Sequence, residues 1–337
     1  MTEVRIGING FGRIGRCAFK HILARPGFRV VGVNDLADRG DLAYLLKYDS
    51  VHGWYPRKVE EDERGFVIDG NPIPFFSEKD PGQIPWGEVG ADVVIEATGV
   101  FRTRDKASAH LAGGAKRVII SAPSEDADGT FVLGVNGDDY DPAKHQVVSM
   151  ASCTTNCLAP VAKVLHESFG VEHLMITTVH AYTSSQTLMD TPMRKRRRGR
   201  AAAVSMVPTS TGAAKATGLV LPELAGRMDG MAVRVPVPDG SLTDIVATLK
   251  TDVTAEGVNA ALAAASSKPP LKGVLRVTDE ALVSRDILGD PHSSIVDAES
   301  TIVLRDRVVK VLAWYDNEWG YSSRLVDFAG AIAGRGA

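Results

Sequence analysis

Through residue 150 or so, apolar positions fall in short β-rich runs separated by amphipathic stretches. Residues 4–9 and 28–34 read as strands, with a helix over 14–23 between them. Residues 42–48 read as a second helix. Short strands over 66–68 and 74–76 flank an Asp69-Gly70-Asn71 turn. Residues 91–97 form an apolar strand that carries the acid Glu96. A helix over 106–112 and a buried strand over 117–121 follow. Buried runs alternating with helices predict an α/β, doubly wound parallel sheet of Rossmann type, covered on both faces.

Beyond residue 151 the rhythm changes. A helix is predicted over 158–166 and a strand over 174–180, followed by a polar and basic stretch over 184–200. Residues 232–237, 244–251, 301–304 and 308–315 read as strands, and 255–266 as a helix. Strands with so few helices between them predict an α+β domain built on a mixed or antiparallel sheet. The expected division is 1–151 and 152–317, with a C-terminal helix in 318–337 packing back on the first domain.

Composition narrows the class. The chain has 337 residues, 44% apolar and 23% charged, with a net charge of -3, as an ordinary soluble protein of two domains would. That charge argues against general nucleic-acid binding. No apolar run reaches the roughly 18 residues of a membrane span. No targeting segment precedes the first strand, so a cytoplasmic location is expected. The three cysteines, Cys17, Cys153 and Cys157, do not suggest a disulfide framework. The histidines show no ligand spacing, and no metal site is expected.

Two places carry chemistry. Gly10-Phe11-Gly12-Arg13-Ile14-Gly15 follows a strand and opens a helix. The glycines allow a tight turn, close approach of a pyrophosphate and close helix–strand packing, and the helix N-terminus attracts phosphate. Asp35 stands 20 residues after Gly15, at the end of the second strand. A carboxylate there accepts ribose hydroxyls and repels a 2′-phosphate, which favours NAD over NADP. Thr98, Gly99 and Ser121 end later strands and are expected to face the same cofactor.

The second place is Ser152-Cys153-Thr154-Thr155-Asn156-Cys157, ahead of the 158–166 helix. A cysteine at a helix start feels the positive end of the dipole, which favours thiolate. Cys157 falls on the apolar face and reads as packing. Pro160 removes a helical N–H and predicts that the regular helix begins just before it. His180, at a strand end, could pair with Cys153 as acid and base, although a histidine so placed is more often structural.

These motifs resemble those of phosphorylating glyceraldehyde-3-phosphate dehydrogenases. The resemblance also rests on Thr177-Thr178-Val179-His180, Ser210-Thr211-Gly212, Arg234-Val235-Pro236 and Trp314-Tyr315-Asp316-Asn317-Glu318. It implies that Cys153 attacks an aldehyde. Hydride then passes to NAD, and inorganic phosphate releases the acyl group as 1,3-bisphosphoglycerate. His180 would lower the thiol pKa and handle the proton. Thr183 and Arg234 match positions that hold the C3 phosphate of glyceraldehyde 3-phosphate. Ser152, Thr154, Thr211 and Gly212 match those that hold the attacking phosphate, and Arg198 falls near another phosphate contact. Asn317 matches the nicotinamide carboxamide contact. Arg13 and Ile14 match backbone contacts to the pyrophosphate. A homotetramer is implied as well.

Three features depart from the pattern. Met150 stands where the family usually has asparagine. Thr191 precedes Pro192 where NAD-specific members often have leucine. The run Arg194-Lys195-Arg196-Arg197-Arg198-Gly199-Arg200 is unusually basic. It reads as an interface charge network, a solvated loop, or a site for an anionic partner or a 2′-phosphate. The alternatives to the main reading are NADP or dual cofactor use and erythrose-4-phosphate dehydrogenase.

Overall fold

A computed structural model describes residues 3–334, in two compact units. The first holds the chain up to Phe131, Asp139–Ala151 and the part of the last helix from Ser322. The second holds Val132–Asp138 and Ser152–Tyr321. A single cut at 151 therefore misses one short excursion of the chain. Residues 335–337 of the expected C-terminal segment lie outside the described residues.

The first unit is built on parallel strands. Val4–Asn9 sits between Phe28–Asn34 and Val93–Glu96, and Val118–Ile120, Val147–Ser149 and Gly129–Thr130 continue the sheet beyond Val93–Glu96. Asn71–Phe76 pairs parallel with the second strand and leads into an antiparallel edge, Gly65–Ile68 and Val59–Glu61. The hairpin between Gly65–Ile68 and Asn71–Phe76 turns on Asp69 and Gly70, both with positive φ, and Asn71 already belongs to the strand. The helix expected over 106–112 is instead two single turns, Arg104–Ala107 and Ala109–Ala112. Ser108 breaks it by donating its hydroxyl back to the Asp105 carbonyl. The strands 129–130 and 147–149 were too short to leave a readable period.

The second unit is a seven-stranded mixed sheet, with antiparallel pairs predominating and parallel pairs at Val171–Ala181 with Met228–Val235 and at Leu275–Thr278 with Ser294–Leu304. Helices Cys153–Phe169, Ala213–Val220 and Ala255–Ser266 supply apolar side chains to one core with the sheet, including Val161, Leu165, Leu174, Ile176, Ile245 and Val311. Alternation along the strand decides what meets the helices: Leu174, Ile176, Thr178 and His180 are buried, whereas Met175 is exposed. His180 is thus the last inward residue of a strand whose inner face packs against the Cys153–Phe169 helix.

That helix corrects the expectation drawn from Pro160. It starts at Cys153 and carries the buried proline inside, rather than beginning just before it. Proline there removes the hydrogen bond to the Asn156 carbonyl. The apolar packing of Cys157, Leu158, Val161 and Leu165 outweighs that loss.

Candidate active site

Ser152 caps the helix, its hydroxyl accepting the Thr155 N–H at 3.1 Å. Cys153 is therefore the first helical residue, at the positive end of the dipole. Its Sγ lies 3.5 Å from His180 Nε2. On the other side of the ring, Nδ1 lies 2.7 Å from the Ala181 carbonyl. The Ala181 carbonyl only accepts, whereas Arg234 Nη1, 2.9 Å from the same Nδ1, only donates; the tautomer with the proton on Nδ1, toward the nearer carbonyl, turns the Nε2 lone pair to the sulfur. Arg234 Nη1 donates to the same carbonyl at 2.9 Å.

Burial around this pair works against ionisation of either group. Burial pushes the Cys153 thiol up to about 11, against the opposing pull of Arg234 and of hydrogen bonds from Thr154. Burial, and then the Arg234 and Arg198 charges, push His180 down to about 3, with the Ala181 carbonyl acting the other way. Cys153 is only half-buried as a residue, so some contact with water softens the push on the thiol. The resemblance implies an imidazole that lowers the thiol's pKa. Here burial raises the thiol and lowers the imidazole, so both are pushed toward their neutral forms.

Two further groups set the geometry: Tyr315, which the sequence offered only as part of a motif, and Ser241, which it did not mark. Tyr315, fully buried, joins the Thr154 hydroxyl at 2.9 Å to the Thr178 hydroxyl at 2.8 Å, so it ties the helix start to the His180 strand. Ser241 accepts the Ala181 N–H at 3.1 Å and donates to Asn317 Oδ1 at 2.6 Å, which leaves the buried Asn317 with its amide N–H groups to offer. Only strand pairing brings these residues together, and no local pattern marks them.

The anion-binding candidates form a chain. Thr183 Oγ1 is 2.9 Å from Ser185 Oγ. Arg198 reaches Ser185 Oγ at 3.3 Å and Thr209 Oγ1 at 3.1 Å. It lies close enough to Arg234 to lower that guanidinium's pKa, though burial contributes more. Two mutually repelling guanidiniums beside the thiol and imidazole could together accept an anion. Gly212 begins the Ala213–Val220 helix and has open space where a side chain would be. The Thr211 hydroxyl accepts the Ala213 N–H at 3.2 Å. Ser152 and Thr154 flank Cys153, but their hydroxyls already serve the cap and Tyr315.

Within the basic run, Lys195 donates to Ser210 and Arg200 pairs with Asp190. Arg194, Arg196 and Arg197 are exposed. Met150 is fully buried just ahead of Ala151, which has φ 52.

In the first unit the glycine turn meets the steric demands of a phosphate-binding loop. Gly10 has φ +91, and a side chain there would strike the Thr98 backbone at 2.6 Å. A Cβ on Gly15 would come within 2.0 Å of the Gly10 carbonyl. Gly12 faces open space, and no side chain caps the helix beginning at Arg13, which leads on through Ile14. The residues present thus fit a dinucleotide pyrophosphate. The Arg13 side chain is held by Asp49 at 2.8 Å, leaving its backbone for that contact. Asp35 does more than wait for a ribose: it accepts the Phe11 N–H at 2.6 Å and so braces the turn. Gly99 has φ +71 beside Thr98, and the Ser121 N–H bonds the Glu96 carbonyl at 3.0 Å.

A Rossmann-type unit and a second unit with a thiol–imidazole pair define the class, a dinucleotide-binding oxidoreductase. Comparison with known proteins narrows it. The family described as "Glyceraldehyde 3-phosphate dehydrogenase, NAD binding domain" matches residues 4–104, and its "C-terminal domain" counterpart matches residues 152–317. The chain is 55% identical over 333 residues to "Glyceraldehyde-3-phosphate dehydrogenase" of Geobacillus stearothermophilus, covering 99% of each protein. It is 54% identical over 325 residues to the protein of the same name from Streptomyces coelicolor, covering 96% of this chain and 97% of the other. It is also 54% identical over 333 residues to "Glyceraldehyde-3-phosphate dehydrogenase 1" of Bacillus subtilis, covering 99% of each. The chain belongs to the glyceraldehyde-3-phosphate dehydrogenase family. Among the described residues no helix is long and apolar enough to cross a membrane.

Proposed function

We propose that this chain oxidises D-glyceraldehyde 3-phosphate with NAD and inorganic phosphate to 1,3-bisphosphoglycerate, a reaction that serves glycolysis and gluconeogenesis. The single observation that carries the reading is Cys153 Sγ at 3.5 Å from His180 Nε2, at a helix start and beside Arg234. Arg234, with Thr183 and Arg198 alongside, holds the substrate's phosphate. The sulfur adds to the aldehyde carbon as its proton passes to Nε2, and Nε2 returns a proton to the new oxygen, which gives a thiohemiacetal. His180 then takes the hydroxyl proton as the C–H bond breaks. When bound, the nicotinamide supplies the acceptor for the hydride. The product on Cys153 is a thioester. A phosphate oxygen, held by Ser152, Thr154, Thr211 and Gly212, attacks the carbonyl, and the sulfur leaves and regains its proton. Asn317 presents its amide to the nicotinamide carboxamide, with Ser241 fixing the orientation.

NAD is preferred over NADP because the Asp35 carboxylate would repel a 2′-phosphate. A homotetramer fits a sheet face that the unit itself leaves bare. Met175, Val246 and Ile302 share one row of that face with Lys310 and are 56%, 37% and 58% exposed. A cytoplasmic location fits the reduced thiols.

The test is an initial-rate assay with glyceraldehyde 3-phosphate, with and without inorganic phosphate, using NAD and then NADP. Turnover should require phosphate and favour NAD. Oxidation that proceeds equally well without phosphate would point to the hydrolysing erythrose-4-phosphate enzyme instead. A preference for NADP would overturn the cofactor assignment.

A further inference from the structure

Glu96 is 2% exposed at the end of an otherwise apolar strand, Val93–Glu96, with no lysine or arginine bonded to it among the described residues. A bare buried carboxylate is costly, and it persists only when donors saturate it. Four donors do so here. Oε2 accepts from Asn9 Nδ2 at 2.6 Å and from His110 Nε2 at 3.0 Å. Oε1 accepts the Thr98 N–H at 2.8 Å and the Thr98 hydroxyl.

The tautomer of His110 follows from its other neighbour. The Trp86 indole N–H, which can only donate, meets His110 Nδ1 at 3.0 Å. Nδ1 is therefore bare, and Nε2 carries the proton that Glu96 receives. Asn9 extends the network, since its Oδ1 accepts from Asn34 Nδ2 at 2.8 Å. Asn9, Asn34 and Glu96 stand in register at the ends of three adjacent parallel strands. Directly after them come Gly10, Asp35 and the Thr98-Gly99 loop.

An isoleucine or valine would serve stability more cheaply in a strand of this kind. What the carboxylate adds is a common anchor for three loops. We infer that Glu96 is a positioning residue for the adenosine and pyrophosphate half of the dinucleotide, setting the spacing of the Gly10 turn, the Asp35 loop and the Thr98 loop. The inference rests on the cofactor reading above.

The test compares Glu96→Gln and Thr98→Val with the unaltered protein. Glutamine puts a donor where two donors already point, and valine removes the hydroxyl donor at constant shape. Dissociation constants for NAD and for ADP-ribose are measured by calorimetry. Turnover is measured at saturating NAD, and Cys153 alkylation by iodoacetamide without cofactor. Glu96→Gln should weaken both ligands about tenfold, with turnover at saturation within about twofold and alkylation unchanged. Thr98→Val should weaken them by a smaller factor. The double variant should lose less than the product of the single losses, because both act through one carboxylate. Unchanged dissociation constants in a folded Glu96→Gln protein overturn the inference. If that variant does not fold, unchanged binding by Thr98→Val does the same. Failure of the unaltered protein to bind NAD would instead overturn the cofactor reading itself.

Discussion

His180 and Arg234 stand opposite each other in register on neighbouring parallel strands, and Arg234 Nη1 comes within 2.9 Å of His180 Nδ1. A guanidinium this close penalises the imidazolium form. The cation proposed above to hold a substrate phosphate therefore also disfavours protonation of the neighbouring base.

Replacing Arg234 with glutamine should show both effects. Its charge is, after burial, the largest influence holding His180 down, so its removal raises the imidazole pKa. The acid limb of the kcat/KM profile then moves to higher pH. KM for the phosphorylated aldehyde should rise by about tenfold or more, since a charged hydrogen bond is worth about 1.5–3 kcal/mol. A pH profile superimposable on that of the unaltered protein would contradict the electrostatic account.

Cys153→Ser should abolish turnover while leaving NAD affinity intact, because the glycine turn belongs to the other unit. His180→Asn should lower kcat by about 10²–10⁴, the usual range for a positioned acid–base group. It should also slow iodoacetamide alkylation at neutral pH, since a thiol held up to about 11 needs a base to take its proton. Alkylation as fast as in the unaltered protein would mean that the thiol ionises unaided.

Tyr315→Phe removes the one hydroxyl shared by Thr154 and Thr178. Two buried hydroxyls lose a partner, at about 1–3 kcal/mol. Thermal unfolding should come a few degrees earlier. With the Cys153 turn no longer tied to the His180 strand, kcat should fall more than KM rises. An unaltered kcat would show that packing alone keeps the two strands aligned.

Asp239 makes a stability prediction with a definite sign. Burial, then Asp316 and Glu318, push its carboxyl up to about 9. In the unfolded chain the same group ionises near pH 4. Between those values the folded state binds more protons than the unfolded state, so stability falls as pH rises. Asp239→Asn removes this contribution. Relative to the unaltered protein, its melting temperature should gain steadily from about pH 5 to pH 9. Melting curves that stay a constant distance apart over that range would rule out a protonated Asp239.

How much of this could be read along the chain differs from residue to residue. The glycine turn was legible because its spacing follows a strand and opens a helix, and the Gly10–Gly15 contact acts within a few residues, as do the limits of the 4–9, 28–34, 255–266 and 308–315 elements. Cys153 and His180 were legible mainly through family resemblance, since neither stands out by local pattern. Pro160 misled, because its helix-breaking tendency is a local cost that the core around Cys157 and Leu165 overrides. Ser241, the tethering role of Tyr315 and the bracing role of Asp35 left no signal, for their partners lie 60, 161 and 24 residues away.

The sequence by itself therefore determined the elements, the two sheet types and the places where phosphate-binding backbone and a reactive thiol could occur, because periodicity and glycine spacing are properties of short stretches of chain. The tertiary structure alone decided which ring faces the sulfur, which cation faces the ring and whether either group is charged. Those depend on strand register and on exclusion of water, properties of packed neighbours that no stretch of chain carries within itself.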